Sequence, residues 1–169
     1  MMRLWLLRHA KSSWDEPDLA DHERPLAPRG ERDADRMAVF IEGTYIRPAL
    51  VLCSSGLRAR QTLGRVLPSL GQTLEVRVEP ALYSFEASTL LSRLRSVLDD
   101  VSSVMLVGHN PALQELALTL AEDGDALAAV AQKFPTCGLA EIELHLGSWR
   151  DVAPATGTLL RVTIPGELA

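Results

Sequence analysis

Leu4-Trp5-Leu6-Leu7-Arg8-His9-Ala10 opens the chain with a short apolar run that stops abruptly on an arginine and a histidine. A brief, unbroken apolar run bounded by charge reads as a buried strand of a parallel sheet. Two later stretches repeat the design. Ala49-Leu50-Val51-Leu52-Cys53 leads through Ser54-Ser55-Gly56-Leu57 to Arg58, and Val104-Met105-Leu106-Val107 ends in Gly108-His109-Asn110-Pro111.

Helical patterns lie between these strands. Pro28 to Gly43 carries Ala34, Met37, Ala38 and Ile41 at helical spacing, and proline suits a helix start. After Ser54 and Ser55, which can cap it, a second helix buries Leu63, Val66, Leu67 and Leu70. Leu74 to Val78 alternates like a strand, and Ala87 to Leu98 is a helix with Leu91, Leu94, Val97 and Leu98 inward. Asn110 is a good N-cap and Pro111 a good first residue for a helix carrying Leu113, Leu116, Ala117 and Leu120. Leu139 to Leu146 and Thr158 to Ile164 read as paired strands closing the sheet, with a turn near Gly147 and Ser148. The polar segment Lys11 to Pro28 is a long surface loop, a length that usually serves function. The Ala-rich connection Glu122 to Thr136 takes no clear assignment. Strands alternating with helices predict one α/β domain over residues 1–169, a three-layer sandwich with a mostly parallel central sheet flanked by helices.

Bulk properties narrow the function. A chain of 169 residues, 47% hydrophobic and 23% charged, can bury a full core. Its net charge of -5 supplies no basic field for nucleic acid or anionic lipid, so an anion site must come from locally gathered arginines. The two cysteines, Cys53 and Cys137, sit in apolar surroundings and read as buried free thiols. No carboxylate cluster has metal-ligand spacing, and no cofactor is expected. The first apolar run is too short for a signal-peptide core and no segment approaches a membrane span, so the expected location is the cytoplasm.

Chemistry gathers at the strand ends. In open α/β sheets ligands bind just beyond the carboxyl ends of the strands. Arg8, His9, Arg58 and His109 therefore converge on one crevice, where helix N-termini also favour an anion. Arg8 follows a buried strand directly, so its charge needs a partner. Arg58 lies in the first turn of a helix, the wrong end for a cation, which points to a shared anionic ligand.

These residues carry a resemblance. Leu7-Arg8-His9-Ala10 resembles the Arg-His-Gly signature of the histidine phosphatase superfamily, which has the phosphoglycerate mutase-like fold. Ser54-Ser55-Gly56-Leu57-Arg58-Ala59-Arg60-Gln61-Thr62 resembles its second motif, and Val107-Gly108-His109-Asn110-Pro111 its third. Arg8 to Trp14, Arg24-Pro25-Leu26 and Arg29-Gly30 are similar to the SixA-like, phosphohistidine phosphatase branch. The match runs from Leu4 to about Leu116. The resemblance implies that His9 is a nucleophile that becomes transiently phosphorylated. It implies that Arg8, Arg58 and His109 form the phosphate pocket, and that Arg24 is an additional pocket arginine of this branch. The chemistry fits: arginine forks meet phosphoryl oxygens bidentately, and neutral imidazole is a competent nucleophile near neutral pH.

Two departures matter. Ala10 stands where glycine is commoner, at the cost of one methyl. The general acid that many members place after the third strand has no motif match here. The candidates are Glu79 and Glu86 in Glu79-Pro80-Ala81-Leu82-Tyr83-Ser84-Phe85-Glu86, and Asp21 beside His22 in the polar loop. An alkoxide leaving group needs a proton in the transition state, whereas an imidazole needs little help. The expected activity is therefore dephosphorylation of phosphohistidine in protein or of a related phosphorylated ligand. The alternatives are a phosphatase of small phosphate esters, a mutase, and a phosphate-binding module without turnover.

Overall fold

The computed structural model describes residues 1–122 and 124–168. Among these residues the strands Met2–Arg8 (β1), Leu50–Ser54 (β2), Glu75–Glu79 (β3), Ser103–Gly108 (β4), Ala121–Glu122 (β5), Leu139–Leu144 (β6) and Gly157–Thr163 (β7) form one sheet. Their order across it is β3-β2-β4-β1-β6-β7-β5. β3, β2, β4 and β1 run parallel, β6 lies antiparallel to both β1 and β7, and β5 pairs parallel with β7.

Strand alternation divides the core in two. Leu4, Leu6, Leu50, Leu52, Val104 and Leu106 face one side, where they meet Ala87–Arg95 (α3), Ala112–Leu120 (α4) and Asp125–Gln132 (α5). Trp5, Leu7, Val51, Cys53, Met105 and Val107 face the other, against Pro28–Thr44 (α1) and Leu57–Val66 (α2). Apolar residues on both faces of a strand are what a sheet covered on both sides requires. The expected three-layer α/β sandwich is the observed one, and β6 is its antiparallel exception. Cys53 and Cys137 are buried free thiols, each pushed up to about 12 mainly by burial.

Several local expectations are corrected. Ser54 and Ser55 do not cap α2: its N-cap is Gly56, and both hydroxyls are used elsewhere. Pro111 is not the first residue of α4, which begins at Ala112. Asn110 accepts from the backbone N–H of Gln114 at 3.2 Å, doing the work of a cap from one residue further out. The connection from Glu122 to Thr136 holds the end of β5 and all of α5; Asp123 within it lies outside the described residues.

The segment Lys11 to Pro28 is not simply a surface loop. Ser12 bridges Leu26 in antiparallel fashion, and Ser13 N–H donates to the Pro25 carbonyl at 2.8 Å. Ser12, Arg24 and Leu26 are buried. A polar composition hid this because two of the three buried members, Ser12 and Arg24, are themselves polar and find partners. The ribbon lies tight against α1: a Cβ on Gly30 would fall 2.1 Å from the Lys11 carbonyl oxygen. Only glycine permits that approach.

Candidate active site

Three parallel strands deliver the site to the carboxyl edge of the sheet. β1 and β4 are in register so that Arg8 lies beside Gly108, and His9 N–H donates to the Gly108 carbonyl at 3.0 Å. The turn after β1 is fixed by α2, because Ala10 N–H donates to Thr62 Oγ1 at 2.9 Å. Neighbouring Gln61 accepts from Leu26 N–H at 2.8 Å, which ties the ribbon to the same helix. The His9 and His109 rings are 5.2 Å apart.

The hydrogen bonds of His9 select its tautomer. Nδ1 lies 2.7 Å from the Ala10 carbonyl, an acceptor only, so this nitrogen carries the proton. Nε2 is then a lone pair, and Arg58 Nε donates to it at 3.3 Å. Burial pushes the ring down to about 4; the Ala10 bond opposes this, and the charges of Arg58, Arg8 and Arg24 add to it. His9 is therefore neutral at neutral pH, with an available electron pair on Nε2.

His109 is buried and lowered to about 3, first by burial and then by His9 and Arg58. Ser54 Oγ lies 2.7 Å from its Nε2 and accepts from Gly56 N–H at 3.1 Å. A hydroxyl already accepting there has Nε2 as the partner for its own proton, which leaves the imidazole proton of His109 on Nδ1. Among the described residues, Nδ1 has no hydrogen-bond partner, and neither does the buried Nε of Arg8. Buried donors without acceptors are costly and suit an anionic ligand. Gly56 makes room: a Cβ there would stand 3.2 Å from His109 and 3.3 Å from the Tyr83 ring.

The arginines converge on the ribbon as well as on His9. Arg58, 4% exposed, donates to the Asp21 carbonyl at 2.7 Å and to its carboxylate at 3.0 Å. Arg24 donates to the other Asp21 oxygen at 3.1 Å, to Ser12 Oγ at 2.6 Å and to the Ser13 carbonyl at 3.1 Å. Its guanidinium lies over the Trp14 ring. Arg8 donates to the Phe134 carbonyl at 3.0 Å, and burial and then Arg58 push its guanidinium below the ordinary value. Several cations facing each other across a neutral histidine favour negative charge between them.

Of the candidate carboxylates, one reaches this constellation. Asp21 accepts from Arg24, Arg58 and the Tyr83 hydroxyl, and despite the cost of burial these donors hold it down at about 2. It is thus an ionised carboxylate at neutral pH and has no proton to give. Glu79 is not brought in: its two oxygens take Arg93 at 2.7 and 3.0 Å. Glu86 is exposed at the start of α3, and among the described residues its side chain bonds none of the site residues. The structure adds residues to which the sequence reading attached no role in the site. Ser54 and Ser55 read as caps, yet Ser55 meets His22 Nε2 at 2.9 Å. Tyr83 stands inside the stretch scanned for carboxylates, where its hydroxyl was the available signal. Among the described residues no group of three or more His, Cys, Asp or Glu side chains is placed to hold a metal ion.

A profile of the histidine phosphatase superfamily (branch 1) matches residues 4–92, more than half of the chain. The chain belongs to the histidine phosphatase superfamily. This histidine phosphatase is 38% identical over 164 residues to an uncharacterized protein of Mycobacterium tuberculosis, covering 94% of this chain and 99% of the other. It is 30% identical over 121 residues to the phosphohistidine phosphatase SixA of Escherichia coli (strain K12), covering 70% of this chain and 74% of SixA. A solved structure from Agrobacterium tumefaciens, assigned as a phosphohistidine phosphatase SixA, superposes with a TM-score of 0.81 at 31% identity. That match covers 97% of this chain and 98% of the other. The histidine phosphatase thus has the phosphoglycerate mutase-like fold and falls in the SixA-like branch.

Proposed function

We propose that this histidine phosphatase removes phosphoryl groups from phosphohistidine in protein, through a phosphohistidine formed on its own His9. One observation carries the reading: the Ala10 carbonyl 2.7 Å from Nδ1 fixes the proton there and leaves the Nε2 electron pair for attack. In the first half, Nε2 attacks phosphorus and a P–N bond to His9 forms. The P–N bond of the substrate breaks, its electron pair stays on the departing imidazole, and that nitrogen takes a proton from water. In the second half, water attacks phosphorus and gives up a proton to the solvent, offsetting the one taken in the first half; the bond to Nε2 breaks with its electron pair returning to His9, and inorganic phosphate leaves.

The charge in flight sits on the equatorial phosphoryl oxygens, so catalysis here is positioning and charge stabilisation. Arg8, Arg24, Arg58 and His109 are the donors for those oxygens, and the guanidiniums supply the positive charge without a metal. Incoming oxygens compete with the Asp21 carboxylate for Arg24 and Arg58. In the free protein Asp21 is held ionised at about 2, so it presents no proton ready for a departing oxygen. That favours leaving groups that depart without protonation, imidazole first among them.

The test is to trap the intermediate. Brief incubation with phosphoramidate, followed by alkaline quench and mass spectrometry, should find acid-labile phosphate on the peptide holding His9, and none on His9→Gln. Turnover by His9→Gln within tenfold of the parent chain would sink the assignment.

A further inference from the structure

A chain of aromatic rings leads from the nucleophile to solvent. His9 and His109 are both buried. The Phe85 ring lies 5.3 Å from His109, tilted by 54°, and is 41% exposed. Tyr83 meets both edge-on, at 5.3 Å from His109 and 5.5 Å from Phe85. His22 also packs edge-on against Tyr83, at 4.8 Å. Phe85 contributes to neither hydrophobic core; Leu82 is the buried anchor of this segment, and α3 starts after it at Ala87. A single half-open ring is ordinary on a protein surface; what distinguishes Phe85 is its packing on His109 and Tyr83 beside the buried histidines.

In-line attack by His9 Nε2 sends the leaving group away from His9, toward the mouth. Phe85 is the most exposed ring of this chain, His22 and Tyr83 being half-buried, and Tyr83 and His109 brace it on the way from the buried histidines to solvent. Aromatic rings prefer tilted or offset partners at 4.5–7 Å, and a planar leaving group beside Phe85 would extend the same arrangement by one ring.

We propose that Phe85, braced by Tyr83, is a specificity-determining residue that selects phosphoryl donors whose leaving group is a planar ring, the imidazole of phosphohistidine above all. This rests on the proposed function and deepens it by saying what distinguishes one P–N substrate from another. The test compares kcat/KM for N-phosphoimidazole with that for phosphoramidate, whose P–N bond carries no ring. The readout is the ratio of the two, which a general loss of folding or of phosphoryl binding does not move. Phe85→Ala should lower the ratio about 3- to 10-fold, what an aromatic pair contributes, and Phe85→Tyr should keep it. A ratio for Phe85→Ala within twofold of the parent chain overturns the role of Phe85 and leaves the proposed function standing. A parent chain that turns over neither P–N compound overturns both.

Discussion

At the scale of the residue, the site is a neutral histidine ringed by guanidiniums. Arg58 touches His9 Nε2 and Asp21 from one buried side chain, so its removal loses both orientation and charge. Arg58→Ala should lower kcat/KM on the order of 10²–10³-fold, the effect of losing one preorganised donor, and should weaken vanadate inhibition. Equal vanadate inhibition of variant and parent would place Arg58 outside the pocket. The pH dependence follows from His9, which faces Arg8, Arg24, Arg58 and His109. Its pKa is lowered to about 4 from the usual 6.5, so the attacking neutral form persists as pH falls and is lost only through about 4. The acid limb of kcat/KM, which reports the free enzyme, should lie near 4 after correction for substrate ionisation. A limb near 6.5 would show that His9 is not buried among cations. Arg8, His9, Arg58 and His109 were legible from the sequence because each follows a strand end, and the sheet brings strand ends together. Tyr83 and Asp21 were harder to connect. They lie 62 residues apart in the sequence and meet only through loops, whose paths side-chain periodicity does not encode.

At the scale of the element, the Lys11 to Pro28 ribbon decides whether Arg24 and Asp21 stand in the pocket. It is held by Gln61, by the Ser12–Leu26 bridge and by its close packing on Gly30. Gly30→Ala forces a methyl into the Lys11 carbonyl, and overpacking of this kind costs roughly 1–3 kcal/mol. The expected outcome is a lower Tm together with a loss of kcat/KM like that of an Arg24 variant, because the displaced ribbon carries Arg24 with it. An unchanged Tm would mean that the ribbon does not rest on α1. Helix and strand cores were readable from periodicity, whereas their ends were not: α3 stops at Arg95, and Leu98, expected to face inward, is 72% exposed. α4 starts one residue later than Asn110-Pro111 suggests, and Ser54 serves His109 rather than α2. Ser54 was drawn to a tertiary partner, whereas Asn110 still accepts from Gln114 N–H but does so from one residue outside the helix.

At the scale of the whole molecule, two apolar cores sandwich one sheet and leave its carboxyl edge to carry polar chemistry. The alternation of strands and helices made that architecture legible. The short β5 and the helix α5 were not, because an Ala-rich segment has too little apolar contrast to show a period. The same architecture bears on substrate choice, since the edge gathers Arg8, Arg24, Arg58 and the proposed nucleophile His9 around the Asp21 carboxylate, which is ionised in the free protein. The most direct measurement is kcat/KM, in EDTA, for a phosphohistidine peptide, an aryl phosphate and a simple alkyl phosphate. Missing acid assistance, typically ~10²–10⁴-fold, should put the phosphohistidine peptide and the aryl phosphate well above the alkyl ester. An alkyl phosphate turned over as fast as the phosphohistidine peptide would contradict the account.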